Sequence, residues 1–404
     1  MDRRSFFKYG SFTGAMTAFL GGLHPALALT WQKIGTTSGA SGTWNKIVPT
    51  GGGSTIRIAL VASGTAHHLA LRSDGNILGS GSNSSGQLGD NSTIAKSSYI
   101  QAIGVSNIIA LAAGNGHSLA LRSDGLVFAC GRNQIGQLGD NTIANKSTFA
   151  QVIGVSNISA IACGYFHSLA LRSDGLVFGS GHNGFGTFGD NTTVNKSTFV
   201  QTIGISNIVG LAAGGYHSLA IRSDGLLFGA GYNQYGQLGI NSNVQKTAFV
   251  QATGVSNVVA VAGGYYLSLV LRSDGLVFGC GYNKHGQLGD NTSFNSYSAF
   301  VQAIGISNIV ALAAGHNQNL ALRSDGLLFS CGYNNRGQLG NNTTVNKSSF
   351  TQVIGVSGVM TIAAGDKDCS ALNSDGLVFA CGYNGFGQLG DNSVVNKSTF
   401  IQAL

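Results

Sequence analysis

The chain has 404 residues, of which 43% are apolar and only 9% are charged, and its formal net charge is +7. This apolar fraction excludes a disordered chain, whereas 62 glycines and a complete lack of glutamate argue against long solvent-exposed helices. The composition is typical of short strands joined by tight turns.

The first 28 residues have the three parts of an export signal. A basic start contains Arg3 and Arg4, an uncharged stretch runs from Tyr9 to Leu23, and Ala26-Leu27-Ala28 offers a cleavage site of small residues. Paired arginines are typical of the twin-arginine class, and the apolar stretch is too short to span a membrane stably. The sequence therefore predicts a bacterial protein that is cleaved after Ala28 and exported to the periplasm or the exterior.

After an N-terminal extension, residues 29–53, the chain repeats one unit seven times from residue 54 to Leu404. The repeat is marked by the triplet Ser-Asp-Gly at intervals of 50 residues, once 51, which starts at Ser73, Ser123, Ser173, Ser223, Ser273, Ser324 and Ser374. A period of this size is typical of solenoids, propellers and arrays.

The second unit shows what each repeat contains. Apolar runs of strand length occupy residues 107–113 and 117–122, and the turn at Asp124-Gly125 suits a hairpin to a third run, 126–130. A polar loop then leads to a fourth run, 147–153. No segment shows the apolar spacing of an amphipathic helix, so the sequence predicts four short antiparallel strands per unit.

Seven such sheets predict an all-β fold, a seven-bladed β-propeller of four-stranded antiparallel blades. A lone sheet of this kind exposes two apolar faces, whereas radial stacking buries them and leaves only short edges. The strand that closes the ring stays open at this stage. Residues 43–48 resemble an extra fourth strand ahead of the first unit, while residues 399–404 already supply the fourth strand of the seventh.

Residues 114–139 carry the unit motif Gly-x-x-His-Ser-Leu-Ala-Leu-Arg-Ser-Asp-Gly-Leu-Val-Phe, followed by Gly-x-Asn-x-x-Gly-Gln-Leu-Gly. Gly-Gln-Leu-Gly recurs in six of seven units. The motif resembles the repeat of the regulator of chromosome condensation family, which implies a seven-bladed propeller. Two positions depart from that family: a small residue precedes Gly-x-Asn where an aromatic is usual, and Phe or Tyr replaces proline on the fourth strand.

The resemblance also bears on function. The eukaryotic founder of the family exchanges nucleotide on a small GTPase at chromatin, an activity that an export signal puts out of reach. A secreted bacterial propeller resembling this family inhibits β-lactamases through an aromatic-rich face. That second context suits an exported chain better, although one fold hosts many functions.

Sequence variation among the repeats is confined to two of the four connections between strands. The second connection is a nearly constant Ser-Asp-Gly and the fourth a nearly constant Gly-Val/Ile-Ser-Asn. Because strand direction alternates, these two lie at one end of the ring, and the variable first and third connections lie at the other. The binding-face candidates there are Tyr165, Phe166, Tyr216, Tyr265, Tyr266, His316, Asn317, Asp366, Lys367 and Asp368 on first connections, and Phe185, Tyr235, His285, Arg336 and Phe386 on third connections.

Aromatic side chains near the axis are typical anchors for macromolecular recognition. The sequence therefore favours a monomeric binding module for a protein or another macromolecule. Two alternatives stay open. One is a hydrolase or lyase acting on glycans through Asp366, Asp368 and His316; the other is a structural surface protein without a specific ligand.

Other kinds of site find little support in the sequence. Residues that recur at one repeat position are assigned to packing or hydrogen bonding between blades; these are Tyr232, Tyr282, Tyr333 and Tyr383, and His67, His117, His167 and His217. The six cysteines replace small residues and include no Cys-x-x-Cys pair, so neither a disulfide framework nor a zinc site is expected. Cationic residues are spread around the ring, which argues against nucleic-acid binding. No cofactor, metal or membrane span is expected in the mature chain.

Overall fold

The computed structural model describes residues 56–404, which consist of strands and turns. The predicted signal peptide, the N-terminal extension and its possible strand at residues 43–48 lie outside the described residues. The seven repeats form seven antiparallel sheets, each with its four strands in chain order. The predicted seven-bladed β-propeller is confirmed.

Each blade is a meander whose first strand is innermost, and equivalent strands have equivalent bounds. The first strands are β1 (Ile58–Ser63), β5 (Ile108–Ala113), β9 (Ile158–Cys163), β13 (Ile208–Ala213), β17 (Val258–Gly263), β21 (Ile309–Ala314) and β25 (Val359–Ala364). The second strands are β2 (His67–Arg72), β6 (His117–Arg122), β10 (His167–Arg172), β14 (His217–Arg222), β18 (Leu267–Arg272), β22 (Gln318–Arg323) and β26 (Asp368–Asn373).

The third strands are β3 (Ile77–Gly81), β7 (Val127–Gly131), β11 (Val177–Gly181), β15 (Leu227–Gly231), β19 (Val277–Tyr282), β23 (Leu328–Gly332) and β27 (Val378–Gly382). The fourth strands are β4 (Lys96–Gln101), β8 (Lys146–Gln151), β12 (Lys196–Gln201), β16 (Lys246–Gln251), β20 (Ser296–Gln302), β24 (Lys347–Gln352) and β28 (Lys397–Gln402). The first strand of every blade contacts the first strands of both neighbours, including β1 with β25, so the ring is closed.

Buried histidines connect successive blades. His67 Nε2 lies 2.9 Å from Ser118 Oγ of the next blade, and this hydroxyl donates to the carbonyl of Gln87 at 2.7 Å. Because the serine donates its only hydroxyl proton to that carbonyl, its oxygen can only accept from the histidine. The histidine therefore donates from Nε2. The same contact recurs at 2.9–3.2 Å in the pairs His117–Ser168, His167–Ser218 and His217–Ser268. The hydrogen-bonding role predicted for these histidines is confirmed.

The motif Gly-x-x-His follows from this packing. A Cβ on Gly114 would collide with the ring of His117 and would lie 2.7 Å from the carbonyl oxygen of Gly164 in the next blade. Only glycine therefore allows the histidine to lie flat against the connection and reach the neighbouring serine.

At the outer edge, the last glycine of Gly-Gln-Leu-Gly receives an aromatic ring from the next blade. Gly89 has a φ of +72°, and a Cβ there would lie 2.6 Å from the ring of Phe149. Gly390 of the seventh blade packs in the same way against Tyr99 of the first. The aromatic residue on each fourth strand is a departure from the family pattern. Its ring fills the space that is open because glycine has no side chain.

The seam between the seventh and first blades uses a different pair of side chains. Asp368 takes the position of the histidines and His68 takes the position of the serines, and Asp368 Oδ1 lies 2.7 Å from His68 Nε2. Both side chains are buried, and Gln388 Nε2 donates to Asp368 Oδ2 at 3.2 Å. Since β28 completes the seventh blade, the described ring closes through such side-chain contacts without exchange of a strand.

We expect the seam to tolerate the pairing found elsewhere in the ring. His68→Ser alone leaves the buried Asp368 carboxyl group without its hydrogen-bond partner and should lower the free energy of unfolding by about 1–3 kcal/mol. Adding Asp368→His recreates the His217–Ser268 arrangement and should recover most of this loss. Urea denaturation of the two single variants and the double variant measures the coupling; strictly additive losses would contradict the assignment.

The buried histidines also predict a pH dependence of stability. Burial lowers the pKa of His217 from 6.5 to about 3, so between these values the unfolded chain binds a proton that the folded chain does not. Stability is then lost as the pH falls, at up to about 1.4 kcal/mol per pH unit for this one group. His217→Gln introduces the amino acid that the sixth blade carries at the equivalent position, Gln318. This variant should reduce the slope of unfolding free energy against pH by up to that amount. Parallel curves for wild type and His217→Gln would refute the account.

Candidate binding face

Backbone hydrogen bonds bring the first and third connections of each blade together. The amide of Tyr232 donates to the carbonyl of Tyr216 at 3.0 Å, and the amide of Tyr282 donates to that of Tyr266 at 2.9 Å. The second and fourth connections meet at the opposite end, where the Ile108 amide donates to Gly75 at 3.1 Å. The variable connections therefore share one end of the ring.

A continuous network of rings, here called the aromatic cluster, covers part of this end. Its members have ring centroids within 6.5 Å of one another in an unbroken chain of contacts. They are Tyr165, Phe166, His182, Phe185, Tyr216, Tyr232, Tyr235, Tyr265, Tyr266, Tyr282, His285, His316 and Tyr333. All of them are half-buried, so each ring packs against a neighbour and still faces solvent.

Tyr265 joins His316 to the rest of the aromatic cluster. Its ring stacks on His316 with centroids 4.0 Å apart and meets Tyr165 edge-on at 4.9 Å. The ring fits because Gly215 occupies the equivalent position in the preceding blade, where a Cβ would lie 2.8 Å from Cδ2 of Tyr265. The other blades carry a side chain at this position, so the glycine specifically accommodates the cluster.

Burial raises the pKa of two phenols of the aromatic cluster. It raises the pKa of Tyr165 to about 12 and raises that of Tyr265 further. Edge-to-face contacts of such rings contribute about 0.5–1.5 kcal/mol each beyond the area they bury. The surface of the cluster thus mixes ring faces with hydroxyl groups.

Charged groups flank the aromatic cluster. On one side the guanidinium of Arg132 lies 5.1 Å from the centroid of Phe166. On the other side Asp366 Oδ1 lies 2.7 Å from His316 Nδ1, and Lys367 Nζ lies 3.6 Å from Asp366 Oδ2. Although burial alone would raise the pKa of Asp366, its contacts with His316 and Lys367 lower it overall, so the carboxylate stays ionised.

Asp368 does not belong to the exposed face. Its side chain is fully buried and bonded to His68 and Gln388 in the seam, because Asp368 begins strand β26 whereas Asp366 lies in the connection before that strand. Asp366 and Asp368 therefore engage different partners. Asn317 is half-buried beside the cluster, where its Oδ1 accepts from Gln287 Nε2 at 3.2 Å.

The remaining predicted residues form a smaller group in the seventh blade. Phe386 is 47% exposed, and its ring centroid lies 6.1 Å from that of Tyr383. The guanidinium of Arg336 lies 5.7 Å from the Tyr383 centroid. No ring contact joins this group to the aromatic cluster among the described residues.

Sequence reasoning assigned Tyr232, Tyr282 and Tyr333 to packing between blades, but these residues lie within the aromatic cluster. Tyr232 contacts Phe185 at 4.9 Å and Tyr266 at 5.4 Å, so it packs between blades and is half-exposed at the same time. His182 was also missed. Their positions in the sequence could have indicated this role, because each of these residues opens a third connection. In the structure, the amide of each donates to a carbonyl of the first connection of the same blade.

The opposite end repeats one ion pair rather than presenting a distinct site. In six blades an arginine and an aspartate of the Ser-Asp-Gly turn pair at 2.7–2.8 Å, as Arg222 does with Asp224. A cavity of about 290 Å³ lies beside that pair, next to Gly210. Across residues 56–404 there is no group of three acidic, histidine or cysteine side chains arranged to hold a metal ion, and no helix able to span a membrane.

Comparison with known families agrees with the geometry. The family model of the RCC1-like domain matches residues 32–304, and models of the regulator of chromosome condensation (RCC1) repeat match residues 309–338 and 325–372. No curated protein matches the chain.

Several solved structures resemble the chain in fold. Prp20p from Saccharomyces cerevisiae, described with its binding properties to Gsp1p and histones, is 22% identical with a TM-score of 0.75, covering 86% of this chain and 87% of that one. Yeast RCC1 (Prp20) in a structure with Kap60 is 22% identical with a TM-score of 0.73, covering 82% and 84%. Human WBSCR16 is 21% identical with a TM-score of 0.69, covering 77% and 85%. Identities this low establish the shared fold alone.

Proposed function

The chain belongs to the family of RCC1-like domains, and we propose on this basis that it is a binding module that recognises a protein through the aromatic cluster. The observation that carries the proposal is the cluster itself. Rings on neighbouring blades form one continuous, half-exposed surface at the variable end of a ring that is otherwise nearly sevenfold. Soluble proteins rarely expose a patch of this kind without a partner.

The position of the aromatic cluster supports an asymmetric partner. First connections in the third to sixth blades carry the aromatic and histidine rings, whereas those of the first two blades read Thr65-Ala66 and Asn115-Gly116. A partner centred over Tyr265 would meet Arg132 on one side and Asp366 on the other. Such flanking charges fix the orientation of a complex more than they add affinity.

A protein is favoured over other macromolecules by two considerations. Tyrosine is enriched among the residues that dominate binding energy in protein interfaces. Yeast Prp20p, which shares the fold, is described with protein partners, namely Gsp1p, histones and Kap60. For the present chain the class of partner remains our proposal.

The alternative of a glycan-acting enzyme requires two carboxyl groups on either side of a substrate. Asp366 is half-buried and paired with His316, but both oxygens of Asp368 are bonded within the seam and the side chain is shielded from solvent. These two residues therefore do not supply the pair in the described structure. The alternative of a surface protein without a ligand leaves the aromatic cluster without a role.

We expect truncation of Tyr265 to weaken partner capture. Because anchor residues at an interface contribute about 2 kcal/mol or more, Tyr265→Ala should weaken binding roughly 30-fold. The measurement is quantitative capture from the exported fraction with the mature chain as bait, followed by affinity measurement on the protein identified.

Phe294→Ala is the matched control. Phe294 is 66% exposed on a third connection but contacts no ring of the aromatic cluster, and equivalent positions in other blades also hold exposed apolar residues. It should retain capture. Equal capture by wild type and both variants would exclude the aromatic cluster as the recognition surface.

We further propose that the protein acts outside the cytoplasm. The proposal is supported by the sequence of residues 1–28, in particular the paired arginines Arg3 and Arg4. Replacing both arginines by lysine should retain the full-length chain in the cytoplasm, which fractionation and N-terminal sequencing would detect. Unchanged export of the double variant would argue against this route.

A further inference from the structure

Two cysteines of the seventh blade face each other across a pair of strands. Cys369 of β26 and Cys381 of β27 are direct partners in the antiparallel register. Partners in such a register have Cα atoms about 4.5–5.5 Å apart, within the range of about 4.4–6.8 Å that a disulfide requires.

The seventh is the sole blade in which both positions of this pair are cysteine. Elsewhere the equivalent pairs are His68–Ser80, Ser118–Cys130, Ser168–Ser180, Ser218–Ala230, Ser268–Cys280 and Asn319–Cys331. In three of the other blades a cysteine thus lies opposite serine or asparagine. Replacement of either cysteine of the pair by serine is therefore compatible with the fold.

We propose that Cys369 and Cys381 form a disulfide within the blade that closes the ring. The bond would tie β26 to β27 around the turn at Ser374-Asp375-Gly376. Because β26 also packs on β1 of the first blade, the disulfide would stabilise the hairpin that forms the seventh-blade side of the seam. Sequence reasoning considered only cysteines in adjacent blades, and it missed this pair because Cys369 stands alone at its repeat position.

The chemistry is thiol–disulfide exchange with a low-molecular-weight or protein disulfide as the oxidant. The thiolate of one cysteine attacks the oxidant, forms a mixed disulfide and releases one thiol. The second thiolate attacks the mixed disulfide, forms the bond between Cys369 and Cys381 and releases the other thiol. The chain loses two protons and two electrons, and the disulfide of the oxidant is reduced to two thiols.

The exchange must precede the packing of the seventh blade on the sixth. Both cysteines are fully buried in the finished ring, and the Cys381 thiol donates to the carbonyl of Gln338 in the sixth blade at 3.5 Å. Burial raises the pKa of Cys381, which removes the reactive thiolate from the folded protein. The disulfide therefore forms during folding, while the reduced folded protein reacts slowly.

The experiment refolds the reduced mature chain in a buffer of oxidised and reduced glutathione and alkylates the free thiols under denaturing conditions. Four of the six cysteines should be alkylated, and peptide mapping should place the bond between Cys369 and Cys381. The same buffer added to folded, reduced protein should leave all six cysteines reduced over the same period. Six free thiols after refolding, or a bond between other cysteines, would overturn the proposal.

Serine variants keep the test independent of misfolding. Cys369→Ser recreates the Ser118–Cys130 pair and should fold with every remaining thiol free, whereas Cys130→Ser should fold and retain the bond. Oxidised wild type should melt at a higher temperature than its dithiothreitol-reduced form, and Cys369→Ser should show no such difference. A difference of equal size in Cys369→Ser would place the effect at another residue and refute the role of this pair.

Discussion

The structure depends on each sheet being covered on both faces by its neighbours in the ring. Every hydrophobic cluster of the described chain combines side chains from adjacent blades, and the cluster around β1 joins the first blade to both the second and the seventh. Leucines such as Leu119 and Leu138 are fully buried by this arrangement, and each contributes about 1.5–3 kcal/mol that an isolated blade could not obtain. A single sheet is therefore unstable alone, and closure of the ring is a condition of folding.

The same constraint explains where the sequence is free to vary. A residue of an inner strand touches the next blade, and motif residues such as Gly114 and His117 are fixed by contacts across that boundary. The turns at the Ser-Asp-Gly end repeat one hydrogen-bonded ion pair and so repeat one sequence. The first connections meet the third connections, one another and solvent. Substitutions there built the aromatic cluster without disturbing the contacts between blades.

The fold could be predicted from the sequence because the repeat period gives the number of blades and the apolar runs give the strands within each blade. The candidate face was partly predictable, because variation among copies identifies an end but not a contact. Tyr232 was assigned to packing since three other blades also carry tyrosine at its repeat position, although its amide binds the connection that carries Tyr216. Asp368 was placed on the face because it stands in the variable first connection of its blade, whereas its true partner, His68, is 300 residues away. A partner this distant follows only from superposing the repeats around a closed ring.

The central claim is that recognition takes place at the aromatic end of the closed ring. Hydrogen–deuterium exchange of the mature chain with and without its bound partner tests this most directly. The account predicts added protection in the peptides that contain Tyr165, Tyr216, Tyr232 and Tyr265, with no change in the Ser-Asp-Gly turns. Protection confined to those turns, or to the outer strands, would contradict it.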